Sequence, residues 1–153
     1  MLHVAARDYL MTDTPIPRHV HYHRDQRCLE LIYEASDSHG SPPAQQDEQG
    51  QDHYLLSAEL LRVYSPSAEV QGHSPEQAIL QTGKRTVGLS NITPVGRYSL
   101  KLHFDDGHDS GLFTWEYLYR MAQEQNEWWA RYLAELEAAG ASRDAASIPF
   151  RAL

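Results

Sequence analysis

The chain has 153 residues and a net charge of −8, and at roughly 100–200 residues per domain this length predicts one domain. An acidic chain lacks the cations that neutralise phosphates, and no apolar run approaches the roughly 18 residues needed to cross a bilayer, so we expect neither a nucleic-acid partner nor a membrane. Because Cys28 is the only cysteine, an intrachain disulfide and a multi-thiolate zinc site are both excluded.

The N-terminal part of the chain changes character near residue 18. Residues 1–17 show no sustained hydrophobic period, which predicts a flexible N-terminal arm. Arg7 and Asp8 interrupt the only stretch of this arm that imitates a signal sequence, so the expected compartment is the cytoplasm. Apolar and polar residues then alternate over 19–23 and 29–33, and this period of two predicts two strands.

The next segment is polar and precedes further short elements. Residues 36–52 contain one alanine as their only apolar residue and four acids without a base, so we expect a mobile insertion. A strand is predicted at 53–56, after which Ser57 is placed to cap a short helical turn. Ser74 to Gln77 has the pattern of a helix start and predicts one or two helical turns.

The clearest elements lie in the last third of the chain. Residues 98–104 alternate between apolar and polar, and Asp106-Gly107 predicts a two-residue hairpin turn. Thr114 can cap a long helix with apolar residues near every 3.6 positions, and Gly140 is placed to end it. Together the elements predict an α+β fold, a small β-rich module of antiparallel hairpins with short helical turns and a long C-terminal helix.

Three segments together resemble a known family: Leu60–His73 (LLRVYSPSAEVQGH), Gln81–Arg85 (QTGKR) and Ile92–Met121 (ITPVGRYSLKLHFDDGHDSGLFTWEYLYRM). They resemble the DUF971 family, also called the γ-butyrobetaine hydroxylase-like N-terminal domain. The resemblance implies one module over residues 18–143, followed by a tail over 144–153. Family members occur alone in bacteria, ahead of an iron- and 2-oxoglutarate-dependent dioxygenase domain, and in iron–sulfur-carrying P-loop ATPases.

The resemblance also implies a position for a metal. In the hydroxylases, this module carries a structural zinc on three cysteines and one histidine. Here Ser65, Ser67 and Val70 stand at the cysteine positions, and His108 stands at the histidine position. A serine hydroxyl is a poor zinc ligand and valine offers no donor, so we expect the zinc site to be lost. We expect Ser65, Ser67 and His108 to persist as a polar cluster between the serine-rich turn and the hairpin.

A different metal site is conceivable at the hairpin itself. If Asp106-Gly107 is a two-residue turn, Asp105 pairs with His108, and His103, Asp105 and His108 project from one face. Two imidazoles and a carboxylate can bind a divalent metal. The alternative is a solvated turn whose aspartate accepts backbone N–H bonds. No histidine follows at the distance that a non-haem iron triad needs, so we expect no dioxygenase activity.

Candidate partner-binding residues occur at two places. Lys84 and Arg85 are candidates for contact with an anion or an acidic partner, with ordinary loop charges as the alternative. On the last helix we expect Trp129 to be buried, and Trp128 is a candidate for a partner or self-association surface. Three alternatives remain open for what buries the apolar residues of this helix: the chain's own sheet, a second copy in a homodimer, or another protein.

These observations predict a non-catalytic binding or adapter module that has no cofactor and acts through a protein partner or a homodimer. No nucleophile–base pair, nucleotide loop or complete metal set can be recognised, so we expect no enzymatic activity. The alternative is a metal-binding accessory protein linked to iron or iron–sulfur cluster supply, which would use His103, Asp105 and His108.

Overall fold

The computed structural model describes residues 14–34, 44–72 and 74–145. The other parts of the predicted arm, insertion and tail lie outside these residues. Within them the elements, in chain order, are β1 (His19–His23), β2 (Cys28–Tyr33), β3 (Gln45–Gln46), β4 (Asp52–Ser57), α1 (Ala58–Val63), α2 (Ala68–Gln71), a 3₁₀ turn (Pro75–Gln77), β5 (Leu89–Val95), β6 (Ser99–Phe104), β7 (Leu112–Thr114) and α3 (Trp115–Ala139). The predicted α+β class is confirmed.

The strands form two antiparallel sheets. The first sheet has the order β1-β2-β4-β3, and the second has the order β5-β6-β7. Alternate residues of β2, β4 and β6 are buried, as a period of two predicts for strands with one covered face. The buried faces of both sheets and one side of α3 form a common core, which includes Leu31, Tyr54, Leu102 and Met121.

Local sequence signals place α1 and α3 correctly. Ser57 Oγ accepts a hydrogen bond from the backbone N–H of Leu60 at 3.0 Å and so caps α1. Thr114 Oγ1 accepts from the N–H of Tyr117 at 3.1 Å and caps α3. Gly140 ends α3 in the left-handed conformation, with φ at 63°. The helical turns predicted from Ser74 shrink to the three-residue 3₁₀ turn.

Two strands lie where no strand was predicted. Residues 44–52 fall in the predicted insertion, and they include β3 and the first residue of β4, Asp52, which is fully buried. In β5, only Leu89 is buried and the other residues are half-buried or exposed. Pro94 further obscures the pattern, although proline is tolerated on an edge strand because its missing N–H faces away from the ladder.

The β6–β7 hairpin differs from the prediction. The N–H of Gly107 donates to the carbonyl of Phe104 at 3.0 Å, and the N–H of Phe104 donates to the carbonyl of His108 at 3.0 Å. The loop therefore has three residues, 105–107, and the predicted two-residue turn is wrong. Gly107 takes the left-handed position, with φ at 91°, that a three-residue loop requires. His108 consequently lies opposite Phe104 and not opposite Asp105.

The expected roles of the two adjacent tryptophans are reversed. Trp128 is buried, with 6% of its surface exposed, whereas Trp129 is only half-buried. The ring of Trp128 packs on Tyr64 and Tyr117, with centroid distances of 5.1 and 5.5 Å. The chain itself therefore covers Trp128, and the expectation that Trp129 is the buried ring is wrong. In the described part of the chain, no helix has the length and apolar character needed to cross a membrane.

Candidate functional site

Four polar side chains meet where the turn between α1 and α2 packs on the hairpin. We call Ser65, Ser67, Glu69 and His108 the polar cluster. Nε2 of His108 lies 2.9 Å from Ser65 Oγ and 3.3 Å from Ser67 Oγ, and Nδ1 lies 3.2 Å from Glu69 Oε2. Because a carboxylate only accepts, Nδ1 carries the proton and Nε2 accepts from the serine hydroxyls. The structure thus brings Ser65, Ser67 and His108 together, as the sequence predicts.

The environment keeps the His108 ring neutral. Burial lowers the pKa of His108 below its ordinary value of 6.5, the charge of Arg62 lowers it further, and Glu69 partly opposes both effects. A neutral ring with its proton on Nδ1 satisfies these hydrogen bonds. Electrostatics and geometry therefore agree on the same tautomer.

Asp106 ties the polar cluster to the rest of the molecule. Its Oδ2 accepts from Arg62 Nε at 2.8 Å and from Lys84 Nζ at 2.6 Å, and its Oδ1 accepts from the backbone N–H of His108 at 3.1 Å. Burial acts to raise the pKa of Asp106, but Lys84, the His108 N–H and Arg62 outweigh it and hold the value at about 2. Asp106 therefore joins α1, the segment around Lys84 and the hairpin.

The polar cluster has the hydrogen-bond order of a nucleophile, a base and an orienting acid, in Ser65, His108 and Glu69. Catalysis also needs access for a substrate. Ser65 is completely buried, and Gly111 packs so closely that a Cβ atom at this position would lie 2.3 Å from Ser65 Oγ. The Ser65 hydroxyl is thus enclosed by protein, and the arrangement can link elements of the fold but cannot receive a substrate.

The second sheet presents a face to solvent on the side opposite the core. Two rows of cross-strand neighbours run over β5, β6 and β7. One row is Val95, Ser99 and Thr114, and the next is Thr93, Lys101 and Leu112. We define the second-sheet face as Val95, Lys101 and Leu112 of these rows, together with Arg97 and Tyr98, which are exposed in the β5–β6 turn at the edge of the face. Tyr98 is 60% exposed, Leu112 44% and Val95 36%.

The charges and the backbone of the second-sheet face are arranged for contact. Neither Arg97 nor Lys101 forms an ion pair with any residue that the structure describes. The first residue of α3 fixes the turn, because the backbone N–H of Trp115 donates to the carbonyl of Tyr98 at 3.0 Å. The indole N–H of Trp115 also donates to the carbonyl of Arg97 at 2.8 Å. Two hydrogen bonds therefore tie the turn to the start of α3.

The sequence does not single out these residues, although part of the signal is present in it. The alternation in 98–104 already places Lys101 on the side opposite Leu100 and Leu102. The position of β5 and the exposure of Leu112 cannot be predicted from the sequence, because both depend on the pairing of strands.

Comparison with known proteins identifies the family. The family model described as gamma-butyrobetaine hydroxylase-like, N-terminal, matches residues 20–119. The chain belongs to this family. The matched region contains both the polar cluster and the second-sheet face. No curated protein matches the chain.

Solved structures agree with the family assignment. The solution NMR structures of two proteins are 45% and 42% identical to the chain, with TM-scores of 0.66 and 0.64. Both alignments cover 92% of this chain, and they cover 98% and 95% of the other chains. A crystal structure of a DUF971 family protein of unknown function from Acidithiobacillus ferrooxidans is 30% identical, with a TM-score of 0.50. That alignment covers 72% of this chain and 94% of the other.

The residues at the positions of the hydroxylase zinc do not fit a zinc ion. In this member of the gamma-butyrobetaine hydroxylase-like N-terminal family, Nε2 of His108 is engaged by the hydroxyls of Ser65 and Ser67. Val70 is buried, with 5% of its surface exposed, and offers no donor atom. A structural zinc needs four such ligands. We therefore assign no step of the function to a metal at this place.

The structure does not bring His103, Asp105 and His108 together. His103 Nε2 is 3.0 Å from Thr93 Oγ1, on the outer side of the sheet. Asp105 is exposed in the loop, whereas His108 turns into the polar cluster. Among the described residues, no group of three His, Cys, Asp or Glu side chains is arranged to hold a metal. The separation follows from the three-residue loop, which shifts His108 out of register with Asp105.

The three predicted partner-binding residues all have contacts within the chain. Lys84 pairs with Asp106. Arg85 pairs with Asp144, and its backbone N–H donates to the carbonyl of Arg143 at 3.0 Å. Trp128 is buried against Tyr64 and Tyr117. These contacts give Lys84, Arg85 and Trp128 structural roles.

Proposed function

We propose that the chain is a non-catalytic binding module that docks an acidic segment of a partner protein on the second-sheet face. One observation carries the proposal: Val95 and Leu112 are exposed in the rows around Lys101, and Arg97 and Tyr98 are exposed in the adjoining turn. Neither of the two cations has an acidic partner among the described residues. Tyrosine and arginine are enriched among the residues that anchor protein interfaces.

The charge of the whole chain limits where an acidic partner can bind. The chain carries a net charge of −8, so an acidic partner is repelled by most of the surface and attracted where cations are unpaired. Such complementarity directs the encounter and the orientation of a partner more than it sets the affinity. The turn at Arg97 and Tyr98, which two hydrogen bonds tie to α3, adds to this, because a contact surface that is ordered before binding loses less entropy.

The non-catalytic part of the proposal is supported by the polar cluster and by the family. The Ser65 hydroxyl, which has a base beside it, is enclosed by protein. The family model that matches describes the N-terminal domain of a hydroxylase-like protein.

A charge-reversal pair tests the proposal. The full chain is used to isolate partners from its native host, and each isolated protein is purified and titrated against three forms of the chain. We expect Lys101→Glu to weaken a direct complex by about tenfold or more, whereas Arg24→Glu, the same charge change on an exposed turn of the first sheet, leaves it within about twofold.

The outcomes of this titration are distinct. Equal affinities for Lys101→Glu and Arg24→Glu contradict the assignment of the second-sheet face. A chain that binds only a second copy of itself contradicts the acidic partner and favours a homodimer.

A further inference from the structure

The first sheet carries a histidine held between two carboxylates on its solvent side. His53, on β4, has Nδ1 at 2.7 Å from Glu30 Oε2 of β2 and Nε2 at 2.7 Å from Asp47 Oδ2 of the β3–β4 turn. The other oxygen of Glu30, Oε1, lies 3.0 Å from His23 Nε2 of β1. We call the three residues Glu30, His53 and Asp47 the His53 bridge.

The geometry of the His53 bridge fixes the number of protons on the ring. Ionised carboxylates only accept hydrogen bonds, and a neutral imidazole has a single N–H to donate. Two carboxylates at 2.7 Å on the two ring nitrogens therefore need a doubly protonated ring. If the ring loses one proton, one nitrogen lone pair faces a carboxylate oxygen, and that contact becomes repulsive.

Asp47 also organises the turn that the His53 bridge holds. Its Oδ1 accepts from the backbone N–H groups of Gln49 and Gln51, both at 2.9 Å. The N–H of Gly50 donates to the Asp47 carbonyl at 3.0 Å. Strand β3 contributes only two residue pairs to the sheet, and the other side-chain links of this segment are Gln46 to Asp52 and Gln51 to Glu34. The His53 bridge adds a charged link between this turn and the sheet.

We propose that the His53 bridge is a pH-sensitive clasp, which holds the β3–β4 turn on the first sheet while the ring is doubly protonated and releases the turn when the ring loses a proton. The clasp is a property of the first sheet and is independent of binding at the second-sheet face.

The charges around His53 define the pH range of the clasp. Glu30 faces the ring from β2 and Asp47 faces it from the turn, and hydrogen bonds to these two raise the pKa of His53 above its ordinary 6.5 against the effect of burial. His23 reaches Glu30 from β1. The side chain of Gln51, in the same turn as Asp47, donates a hydrogen bond to Glu34, and Glu34 forms an ion pair with Arg18.

The sign of the pH dependence follows from these shifts. The raised pKa of His53 means that its contribution is complete below pH 6.5 and is lost as the pH rises through the folded value. The hydrogen bond to His53 lowers the pKa of Glu30 below 4.5 and that of Asp47 below 3.8. The carboxylates therefore keep their charge at mildly acidic pH, and release occurs on the alkaline side.

The test is an NMR titration of the full chain. At pH 6 we expect the ring ¹⁵N shifts of His53 to report two protonated nitrogens. Between pH 6 and pH 9 we expect the amide protection of Gly50 and Gln51, corrected for intrinsic exchange, to fall by about tenfold or more.

Asp47→Asn is the matched variant, because its side-chain oxygen still accepts from the turn and its NH₂ can donate to a neutral His53 ring. We expect the loss of protection to be absent in this variant. His103→Gln, which removes a histidine from the second sheet, is expected to behave as the wild type. A single protonated nitrogen on His53 at pH 6 overturns the proposal, whether or not the variants fold. An equal loss of protection in Asp47→Asn overturns it as well.

Discussion

At the scale of residues, two serine hydroxyls share a single acceptor, Nε2 of His108, at 2.9 and 3.3 Å. Either hydroxyl alone can donate a hydrogen bond to Nε2 of His108. If both hydroxyls are removed, Nε2 has no donor, because it is buried away from water. The energetic effect of losing Ser65 therefore depends on whether Ser67 is present.

This sharing predicts non-additive effects on stability. We expect Ser65→Ala and Ser67→Ala each to lower the free energy of unfolding by less than about 1 kcal/mol, and the double variant to lower it by about 1–3 kcal/mol. Urea unfolding measures all three, and Thr86→Ala, at an exposed position, serves as the control. A double variant whose effect equals the sum of the single effects contradicts the shared acceptor.

The neutral His108 ring predicts a pH dependence in the acidic direction. Because burial lowers the pKa of His108 below 6.5, the unfolded chain binds a proton on this ring more readily than the folded chain does. The free energy of unfolding therefore falls as the pH decreases through 6.5. We expect this decrease to be smaller in His108→Gln, measured by urea unfolding between pH 7.5 and pH 5. Equal slopes in the variant and the wild type count against a buried neutral ring.

Residues that act across strands are the ones that the sequence does not reveal. Ser65, Ser67 and His108 are predictable, since they stand at matching positions of the family motifs. His53 and Glu30 give no such signal, because their contact depends on β2 and β4 being neighbours in register, with Glu30 opposite Leu55 and Ile32 opposite His53. Strand order is a property of the whole sheet and is not encoded in any single segment.

At the scale of elements, α3 is held by the ring of Trp128. This ring packs on Tyr64 and Tyr117, and the Tyr64 hydroxyl donates to the carbonyl of Trp128 at 2.8 Å. We expect Trp128→Ala to lower the free energy of unfolding by about 3–5 kcal/mol. Leu133→Ala, on the same helix but 40% exposed, should change it by less than about 0.5 kcal/mol.

Thermal or urea unfolding of these two variants distinguishes a buried ring from a surface ring. A small effect of Trp128→Ala, similar to that of Leu133→Ala, contradicts the packing described here. It also reopens the interpretation of α3 as a self-association surface.

Elements with local signals are predictable, and elements stabilised mainly by pairing are not. Ser57, Thr114 and Gly140 each satisfy a helix end with their own atoms or backbone conformation, so the sequence places α1 and α3 correctly. In contrast, β5 has a largely exposed pattern and contains Pro94. Strand β5 is stabilised by its hydrogen bonds to β6, and its sequence has no alternation of apolar and polar residues that would predict a strand. The loop length of the β6–β7 hairpin is not predictable either, because Asp106-Gly107 is compatible with loops of two or three residues.

At the scale of the whole molecule, hydrogen bonds and ion pairs join the elements at the position where the hydroxylases carry zinc. Ser65 and Ser67 bind His108, and Asp106 links Arg62 and Lys84. The chain as purified, without a histidine tag, should contain less than about 0.2 equivalents of zinc, because three of the four ligands that a closed site needs are missing. Elemental analysis measures this. Near-stoichiometric zinc that resists chelators contradicts the account and supports the metal-binding alternative.

The most direct test of the second-sheet face is site-specific photo-crosslinking in cells of the native host. Benzoylphenylalanine is placed at Tyr98, in the β5–β6 turn, in one full-length chain and at Leu133, on α3, in another, and both positions are exposed. We predict that position 98 forms a covalent adduct with a partner protein, that this adduct is lost when Lys101→Glu is added, and that position 133 does not form it. Equal adducts from both positions, or none from position 98, contradict the second-sheet face as the binding surface.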